Sequence, residues 1–506
     1  MQKSFYRPFF LGALIVGISY SCIEQKLEPN VALSEADEIA SKNAENINAR
    51  MLGEDSPQFT LVTGQYIIIS ASHSLPSGLE EAVLNANGKI SALMAEVGVA
   101  TASSDAPDFA TKMAKVPGVQ SVIRDITGMW IETPKTFELD ESLFPESFDN
   151  PNTNTRFPLQ WGHLAIHAPE AWAAGYQGEG VTVAVLDGGF RLDHADLSGN
   201  IIYAKSFVPG EGAQFVGNGF SHGSHVAGTV AALDNNIGVV GVAPKAKLAL
   251  IKVLSDAGSG EFSWLNEGIL DAVEQDVDVI NMSLGAYLPR NGKFWDDNGT
   301  PNDPSDDFIV NETKAIQELI TVLTRVINYA NQKGVTVIAA AGNDGANGNK
   351  DKSNINIPSD IPNVLSISAT GPMGWALNPS TDLDRFSSYS NYGTPAVTFA
   401  APGGDFALPG NAPCTVSGVT IPCWAFDMVL SVGNIGSYNW SAGTSMASPH
   451  AAGVAALIIG KNGGSMSPTQ VAAAIKASAD DLGSPGRDPL YGMGRINAAK
   501  AVGVSY

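Results

Sequence analysis

A short, continuous apolar run at residues 181–186, which ends in Asp187, Gly188 and Gly189, constrains the fold of this chain most strongly. The run reads Val-Thr-Val-Ala-Val-Leu and is rich in β-branched residues. Such a run is typical of a strand that is buried in a parallel sheet. We therefore expect an α/β fold with Asp187 at the carboxyl end of a strand, the edge at which open α/β sheets form their sites.

Two later segments each place a reactive residue at the start of a predicted helix. His222 is followed by a glycine and an apolar stretch that ends at Leu233, which indicates a tight turn and then a helix. Ser445 lies in Gly-Thr-Ser-Met-Ala-Ser-Pro-His at residues 443–450, and an apolar helix is expected with Pro449 in its first turn. Free N–H groups and the helix dipole at such a start favour the negative charge of acyl transfer.

Asp187, His222 and Ser445 together supply the three groups of a serine hydrolase. A serine hydroxyl is a poor nucleophile until a base takes its proton, and a histidine base works best when a buried carboxylate fixes its tautomer. Each residue also has an ordinary alternative role. Asp187 would then be a turn residue at a strand end, His222 a helix-start residue and Ser445 a helix cap.

From about residue 160 to its end, the chain resembles the subtilisin-like serine peptidases, the subtilase family, which has its triad in the order Asp, His, Ser. Three further blocks match that family: Lys-Val-Leu-Ser-Asp-Ala-Gly-Ser-Gly at 252–260, Val-Ile-Asn-Met-Ser-Leu-Gly at 279–285 and Ala-Ala-Ala-Gly-Asn-Asp-Gly at 339–345. The resemblance implies a three-layer α/β fold, in which helices flank a mostly parallel central sheet. It also implies a serine endopeptidase in which His222 is the base and His225 is structural.

The resemblance assigns further residues around the triad. Asn343 would donate its side-chain amide to the oxyanion, beside the backbone N–H of Ser445. The alternative is a turn residue, since Asn-Asp-Gly is strong turn chemistry. Residues expected to pair with an extended substrate, as added β-strands, are Gly258, Ser259, Gly260, Ser283, Leu284 and Gly285. We expect a broad endopeptidase that prefers large apolar or aromatic residues before the cut.

One position departs from the family pattern. The family usually has Ser or Thr directly after the catalytic Asp, and this chain has Gly188. A hydroxyl at that place can hydrogen-bond locally and support the carboxylate. The departure therefore concerns the support of Asp187 and not the triad itself.

The first residues have the pattern of an export signal. Residues 1–21 contain a charged start and an apolar stretch over residues 9–19, which is too short for a bilayer span of about twenty residues. Cys22 follows, and the segment that ends at Cys22 resembles a lipoprotein cleavage site. The two alternatives are lipidation of Cys22 and ordinary cleavage nearby. We expect residues 22–64 to be a linker.

Residues 65–133 alternate between strand-like and helix-like stretches, with a helix predicted over residues 78–97. Before a subtilase, such an α+β (ferredoxin-like) segment resembles the inhibitory propeptide of the inhibitor I9 type, which also assists folding. Residues 134–155 are rich in Pro, Asn and Asp, so we expect a linker there that holds the self-processing site. The peptidase domain would then occupy residues 156–506. The alternative is a permanent accessory domain.

Cys414 and Cys423 bound a segment that has the pattern of a short hairpin, whose ends can meet. An exported protein resides where a disulfide persists, so we expect Cys414 and Cys423 to be bonded. Two free thiols are the alternative.

The net charge of −22 results from 51 acidic and 29 basic residues among 506. It argues against nucleic acid as a partner, because phosphate binding needs basic patches. Clustered carboxylates instead suit calcium, a hard cation that takes oxygen ligands. Catalysis through the triad would need no cofactor.

The family's calcium loop has a counterpart here. The resemblance gives as ligands the side chains of Asp196 and Asn235 and the carbonyls of Leu233, Ile237 and Val239. An N-terminal amide ligand of the family is missing, and Phe157 falls near its place. Residues 295–307 form a second acidic loop, but they lack a closing Glu at the EF-hand position, and a solvated loop is the alternative.

These observations favour an exported serine endopeptidase that is made as a self-processed zymogen. Its partners would be protein or peptide substrates and its own propeptide. It would be a monomer, extracellular or anchored at the cell surface, and it would contact a membrane only through an N-terminal lipid. The alternatives are a narrow-specificity processing peptidase and a non-catalytic peptide-binding subtilase fold.

Overall fold

The computed structural model describes residues 58–131, 135–138, 154–300, 303, 305–434 and 437–506. The described residues all belong to one compact unit, residues 46–506. The expected export signal, Cys22 and most of the linker before residue 65 lie outside the described residues.

An antiparallel sheet and two helices form the N-terminal part of the described chain. The strands are β1 (Phe59–Ser70), β2 (Lys89–Met94), β3 (Val99–Ser103) and β4 (Val119–Met129), and the helices are α1 (Leu79–Asn85) and α2 (Phe109–Met113). β1 pairs with β3 and β4, and β2 pairs with β3. Both helices pack on one face of the sheet through an apolar cluster that includes Ile68, Leu79, Val83, Phe109 and Met113.

The helix predicted over residues 78–97 is wrong beyond its first two turns. α1 ends at Asn85, and the chain returns as a strand from Lys89. Asn87 has a positive φ of 64°, and a Cβ at Gly88 would lie 2.3 Å from a ring carbon of Phe109. Asn and Gly in succession favour a turn, so the turn ends the helix before the next apolar residues.

Seven parallel strands form the central sheet of the larger part of the chain. In spatial order they are β17 (Phe399–Pro402), β16 (Val364–Thr370), β14 (Thr336–Ala340), β10 (Val279–Met282), β6 (Thr182–Asp187), β8 (Lys247–Lys252) and β7 (Ile201–Ser206). The predicted strand before Asp187 therefore lies near the middle of this sheet.

Helices cover both faces of the central sheet. Their bounds are α3 (Trp161–Ala165), α4 (Ala168–Ala173), α5 (His222–Ala231), α6 (Phe262–Glu274), α7 (Thr313–Gln332), α8 (Thr444–Lys461), α9 (Pro468–Ser478) and α10 (Ala498–Ala501). Val183 and Val185 of β6 pack in the core with α5 and α8, whereas Ala184 and Leu186 pack in the core with α6 and α7. Because side chains alternate along a strand, burial on both faces explains the uninterrupted apolar run. This confirms the three-layer α/β fold.

Short strands complete the described structure. They are β5 (Lys135–Glu138), β9 (Ser259–Glu261), β11 (Ala286–Pro289), β12 (Lys293–Asp296), β13 (Phe308–Asn311), β15 (Asn354–Ile357), β18 (Pro413–Val416), β19 (Val419–Pro422), β20 (Val429–Val432) and β21 (Tyr438–Ala442). β18 and β19 form a hairpin, and a disulfide joins Cys414 to Cys423. β5 lies within the expected linker and pairs with β21. None of the described helices is long and apolar enough to cross a membrane.

Candidate active site

Asp187 and His222 form a buried pair at the carboxyl edge of the central sheet. Asp187 is the last residue of β6, and His222 is the first residue of α5, whose start is capped by the Ser221 hydroxyl. The Nδ1 of His222 lies 2.9 Å from Oδ1 and 3.0 Å from Oδ2 of Asp187. The Nε2 of His222 is buried and has no hydrogen-bond partner among the described residues. The ring is thus oriented by the carboxylate and presents Nε2 for a further proton transfer.

The main-chain N–H of Gly188 supports the carboxylate of Asp187. This N–H donates to Oδ1 at 2.7 Å. A Cβ at Gly188 would lie 3.2 Å from the carbonyl oxygen of Ser255, so a larger residue would crowd the neighbouring loop. The hydroxyl that the family usually places here is absent, and a backbone donor holds one oxygen of the carboxylate.

Ser445 is the second residue of α8 and lies next to the loop after β10. Its hydroxyl donates to the carbonyl oxygen of Ser283 at 3.1 Å, and the Ser283 hydroxyl donates to the Ser445 carbonyl oxygen at 2.8 Å. In this structure the Ser445 hydroxyl therefore bonds to Ser283 and not to His222. Attack through His222 requires the hydroxyl to exchange one acceptor for the other, and such catalytic bonds often tighten only when the substrate is bound for reaction.

The expectation that Pro449 lies in the first turn of the helix is wrong. α8 begins at Thr444, so Pro449 is its sixth residue and lies inside the helix. A proline there cannot donate to the carbonyl four residues earlier, which is that of Ser445. The Ser283 hydroxyl supplies the missing donor. The helix therefore tolerates Pro449 because a neighbouring loop completes its hydrogen bonding.

Asn343 follows β14 and faces the start of α8. Its Oδ1 accepts hydrogen bonds from the backbone N–H of Thr444 at 2.8 Å and from the Thr444 hydroxyl at 2.9 Å. Because a backbone N–H can only donate, this contact fixes which end of the amide is oxygen. The Nδ2 of Asn343 is then left to donate elsewhere. Thr444 was missed as an orienting residue, although it lies in the block at 443–450.

Asn343 and Ser445 line one cavity of about 270 Å³. The other lining residues include Leu284 and Gly285 after β10, Ala340 and Gly342 at the end of β14 and after it, and Met129, Trp130 and Ile131 at the end of β4 and after it. The cavity is mainly apolar. It therefore has the size and lining of a pocket for a substrate side chain beside the two expected oxyanion donors.

Four of the six residues expected to pair with a substrate, Gly258, Ser259, Gly260 and Gly285, pair with an N-terminal segment of this chain. β4 runs antiparallel to β9, with Gly128 opposite Gly260 and Met129 opposite Ser259. The N–H of Trp130 donates to the Gly258 carbonyl at 3.0 Å, and its carbonyl accepts from the Gly285 N–H at 2.8 Å. The segment around Trp130 thus lies between the two predicted substrate-binding stretches as an added strand.

His225 makes its hydrogen bonds away from the Asp187–His222 pair. Its Nε2 lies 3.1 Å from the carbonyl oxygen of Val429 and 3.0 Å from that of Asn439. Burial lowers the pKa of His225 to about 3, which keeps the ring neutral. It bridges α5 to strands β20 and β21, in keeping with its expected structural role.

The expected calcium loop contains an amide that the sequence appeared to lack. The side chain of Asn154 reaches into the loop after α5, where its Nδ2 lies 2.7 Å from the Leu233 carbonyl oxygen and 2.5 Å from that of Val239. Its Oδ1 accepts from the backbone N–H of Asn235 at 3.1 Å. Asn154 therefore lies beside the predicted carbonyl ligands, at a place where the sequence predicted no amide side chain. The only signal was an Asn-rich stretch at 152–154.

Two of the other predicted ligands, Asn235 and Val239, contact Asp196 directly. Asn235 contacts Oδ1 of Asp196 at 3.1 Å, while the Tyr438 hydroxyl and the Val239 N–H hold Oδ2. In the 295–307 loop, carboxylates accept hydrogen bonds from Asn298, Thr300 and Ser305 within the loop. Asp296 and Asp297 also bond to Arg124 and Thr63 of the N-terminal part. Among the described residues, no three His, Cys, Asp or Glu side chains cluster as a metal site. A site built on one carboxylate, amides and carbonyls would not form such a cluster.

The comparisons with known proteins agree with this architecture. Residues 178–494 match the model of the subtilase family, peptidase S8. Subtilisin NAT of Bacillus subtilis subsp. natto is 35% identical over 345 residues, which are 68% of this chain and 71% of that protein. Subtilisin of Bacillus pumilus is 34% identical over 343 residues, which are 68% of this chain and 98% of that protein. The alkaline protease of Alkalihalobacillus alcalophilus is 35% identical over 371 residues, 73% and 77% of the two chains.

A solved structure extends the likeness to most of the described chain. The epidermin leader peptide processing serine protease of Staphylococcus aureus superposes with a TM-score of 0.64 over 87% of this chain and 98% of that chain. At 22% sequence identity, this likeness concerns the fold alone. The family match over residues 178–494, with the relatives at 34–35% identity, shows that the chain belongs to the subtilase family and is a subtilisin-like serine endopeptidase.

Proposed function

We propose that Ser445 is the nucleophile of this peptidase, that His222 is its general base and that Asp187 holds the base. The observation that carries the proposal is the buried contact of 2.9 Å between His222 Nδ1 and Asp187, which leaves Nε2 without a partner among the described residues. Ser445 loses its hydroxyl proton to Nε2 as its Oγ attacks the carbonyl carbon of the substrate. Nε2 then returns the proton to the leaving amine, and water releases the acyl group from Ser445 by the same route.

The negative oxygen of the intermediate would be held by two donors. These are Nδ2 of Asn343 and the backbone N–H of Ser445 at the start of α8. Thr444 supports this role, because its two hydrogen bonds to Oδ1 hold the amide plane of Asn343 before the substrate arrives. Fixed donors of this kind stabilise a developing charge without a further cost of reorganisation.

The N-terminal part would make the chain a zymogen. The segment around Trp130 occupies the space between Gly258 and Gly285, where a substrate would pair. A protein substrate cannot use those donors while β4 and its continuation fill them. This occupation of the groove supports the role of residues 65–133 as an inhibitory propeptide. Self-cleavage at a processing site near residue 134 would release the acyl side of the groove.

Export is proposed from the charged and apolar pattern of residues 1–21. The Cys414–Cys423 bond supports it, because disulfides persist in oxidising compartments. Lipidation of Cys22 stays a prediction. Incorporation of a labelled acyl chain that is lost in Cys22→Ala would establish it, and absence of label in the parent protein would refute it.

We also propose that a structural calcium ion binds the loop after α5. Asp196 and Asn235 would supply side-chain oxygens, and Leu233, Ile237 and Val239 would supply carbonyls, a donor set that suits a hard cation. Asn154 would join them once its amide turns, because its Nδ2 and not its Oδ1 lies against the Leu233 and Val239 carbonyls. The ion would neutralise the buried carboxylate and tie the segment before α3 to the loop. We assign it no part in the chemical step.

A serine-directed fluorophosphonate tests the proposed nucleophile directly. The processed protein should take up one label at Ser445 and should cleave a denatured protein substrate, and the Ser445→Ala variant should do neither. A correctly folded protein that takes no label and cleaves nothing would favour a peptide-binding role instead.

A further inference from the structure

Strand β5 lies along the edge of β21, the strand that leads into the nucleophile. Lys135 pairs with Ala442, Thr136 with Ser441, Phe137 with Trp440 and Glu138 with Asn439, all antiparallel. The other edge of β21 pairs with β20. Because Ala442 is three residues before Ser445, β5 occupies a sheet edge that begins beside the catalytic centre.

The side chain of Phe137 rests on two tryptophans next to this edge. Its ring lies 5.8 Å from the Trp424 ring and 6.4 Å from the Trp440 ring, edge to face in both cases. Trp440 is fully buried. Trp424 is held by a hydrogen bond from its Nε1 to Asn411 at 3.0 Å and by its neighbour Cys423, which is in the disulfide. The two rings therefore form a fixed aromatic surface.

The described residues on either side of residues 132–134 both lie beside the catalytic centre. Ile131 lines the cavity that holds Asn343 and Ser445, and it also lines a second cavity that holds His222. Thr136 also lines this second cavity. Ile131 and Lys135 are four residues apart, so an extended chain between them spans at most about 14 Å. Ile131, on the acyl side of the groove, and β5, on the edge of β21, therefore lie at the two ends of a short stretch of chain.

We propose that the edge of β21, with Trp424 and Trp440, binds the leaving-group side of substrates and takes an aromatic side chain there. In the unprocessed precursor, Phe137 of the same chain occupies this subsite. Phe137 is the sixth residue after Ile131 and the third after Pro134. The class of substrate is therefore an extended peptide with an aromatic residue at the third to sixth position after the cut bond. This inference rests on the proposed endopeptidase function.

The position of Phe137 also has a consequence for the processed enzyme. A cut between Ile131 and Lys135 leaves β5 on the catalytic side of the break, attached to the peptidase domain. β5 then competes with the leaving-group side of a substrate for the β21 edge. Main-chain hydrogen bonds hold β5 on the edge of β21, and the aromatic contacts of Phe137 strengthen this binding.

Internally quenched peptides test the subsite. Four pairs of peptides share one cleaved sequence and differ only by Phe or Ala at the third, fourth, fifth or sixth position after the cut. Rates are normalised to active sites titrated with fluorophosphonate. We expect one Phe peptide to have a kcat/KM about two- to tenfold above its Ala partner, as an aromatic pair allows. In Trp424→Ala this ratio should fall to about one, whereas Phe308→Ala, an exposed aromatic residue on β13, should keep it.

Phe137→Ala gives an independent reading that does not need Trp424→Ala to fold. It should lower KM for the long peptides, because the tethered competitor is weakened, without a matching change for a short substrate that ends in a small chromophoric amine. Equal rates for Phe and Ala at all four positions, together with an unchanged KM in Phe137→Ala, would overturn the subsite. An absence of both label and cleavage would instead contradict the proposed endopeptidase function, which separates the two failures.

Discussion

Pro449 lies four residues after Ser445 in α8, and the hydrogen bond that it cannot donate is replaced by one from outside the helix. The Ser283 hydroxyl donates to the Ser445 carbonyl at 2.8 Å, and it also contacts the Ser448 hydroxyl at 2.8 Å. In an α-helix the N–H of the fourth residue onward would fill this position, and proline has none. The backbone of the proposed nucleophile is therefore tied to the loop that carries Leu284 and Gly285.

Ser283→Ala should destabilise the protein, because it leaves the buried carbonyl of Ser445 without this donor. We expect a loss of about 1–3 kcal/mol in the free energy of unfolding, seen as a lower thermal midpoint. The measurement is best made in the Ser445→Ala background, which prevents self-digestion and keeps the carbonyl concerned.

A second substitution provides the control for this relationship. Pro449→Ala restores an N–H at position 449, which can donate to the Ser445 carbonyl within the helix. Combined with Ser283→Ala, it should recover part of the lost thermal midpoint. If the double variant melts as low as or lower than Ser283→Ala alone, the missing donor is not what Ser283 replaces.

Asn343→Ala should lower kcat by about a hundred- to a thousandfold with little change in KM, a magnitude established on subtilisin itself. The reason is that Nδ2 of Asn343 would act on charge that develops only in the transition state. Thr444→Val keeps the backbone N–H that holds Oδ1 but removes the hydroxyl, so its loss in kcat should be smaller. A near-normal kcat in Asn343→Ala would remove Asn343 from the oxyanion site.

Calcium should raise the thermal midpoint, and a chelator should lower it, because an ion bound only by the folded protein stabilises it by mass action. Asn154→Ala should reduce the calcium-dependent part of the midpoint, since it removes one ligand from the loop. An Ala substitution of Asn298, in the 295–307 loop, is the matched control. A thermal midpoint that changes neither with calcium nor with the chelator would refute the site.

Three carboxyl groups at the contact between β4 and the start of α6 predict that the stability of the folded precursor depends on pH. Burial raises the pKa of Asp125 to about 6. Burial and the charge of Asp125 raise the pKa of Glu261 to about 8 and that of Glu267 to about 7. Because these folded-state values lie above those of free carboxyl groups, the folded precursor binds more protons than the unfolded chain in this range. Their contribution to stability is therefore present at low pH and is lost as the pH rises towards 8.

The Ser445→Ala precursor allows this effect to be measured without processing. Its thermal midpoint should fall between pH 5 and pH 8, and Glu261→Gln should flatten part of that fall. Glu179→Gln, on the protein surface, serves as the control and should leave the slope unchanged. An identical slope in Glu261→Gln would show that Glu261 does not titrate in this way.

The positions of Asp187, His222 and Asn343 could be predicted from the sequence for a physical reason. Each follows an apolar run or precedes one, and such runs fix where a strand ends or a helix begins. The start of α8 was harder to predict, because Pro449 looked like a first-turn residue. Only the donor from Ser283, far away in the sequence, allows the helix to begin earlier.

The structural features that the sequence did not predict depend on contacts between segments that are far apart in the chain. Asn154 joins the calcium loop, and Phe137 lies on Trp424, although nothing near either residue in the sequence indicates its partner. β5 also lies in a stretch rich in Pro, Asn and Asp, which is typical of a linker. Its strand conformation follows from the edge of β21 and not from its own composition.

Mass spectrometry of the purified parent protein and of Ser445→Ala tests the central claim most directly. We expect the parent protein to lose its N-terminal part, to begin between Glu132 and Lys135, and to take up one fluorophosphonate at Ser445. Ser445→Ala should keep its N-terminal part and should remain unlabelled. A pure Ser445→Ala protein that is still processed at the same bond, or a processed parent protein labelled at another residue, would contradict the account.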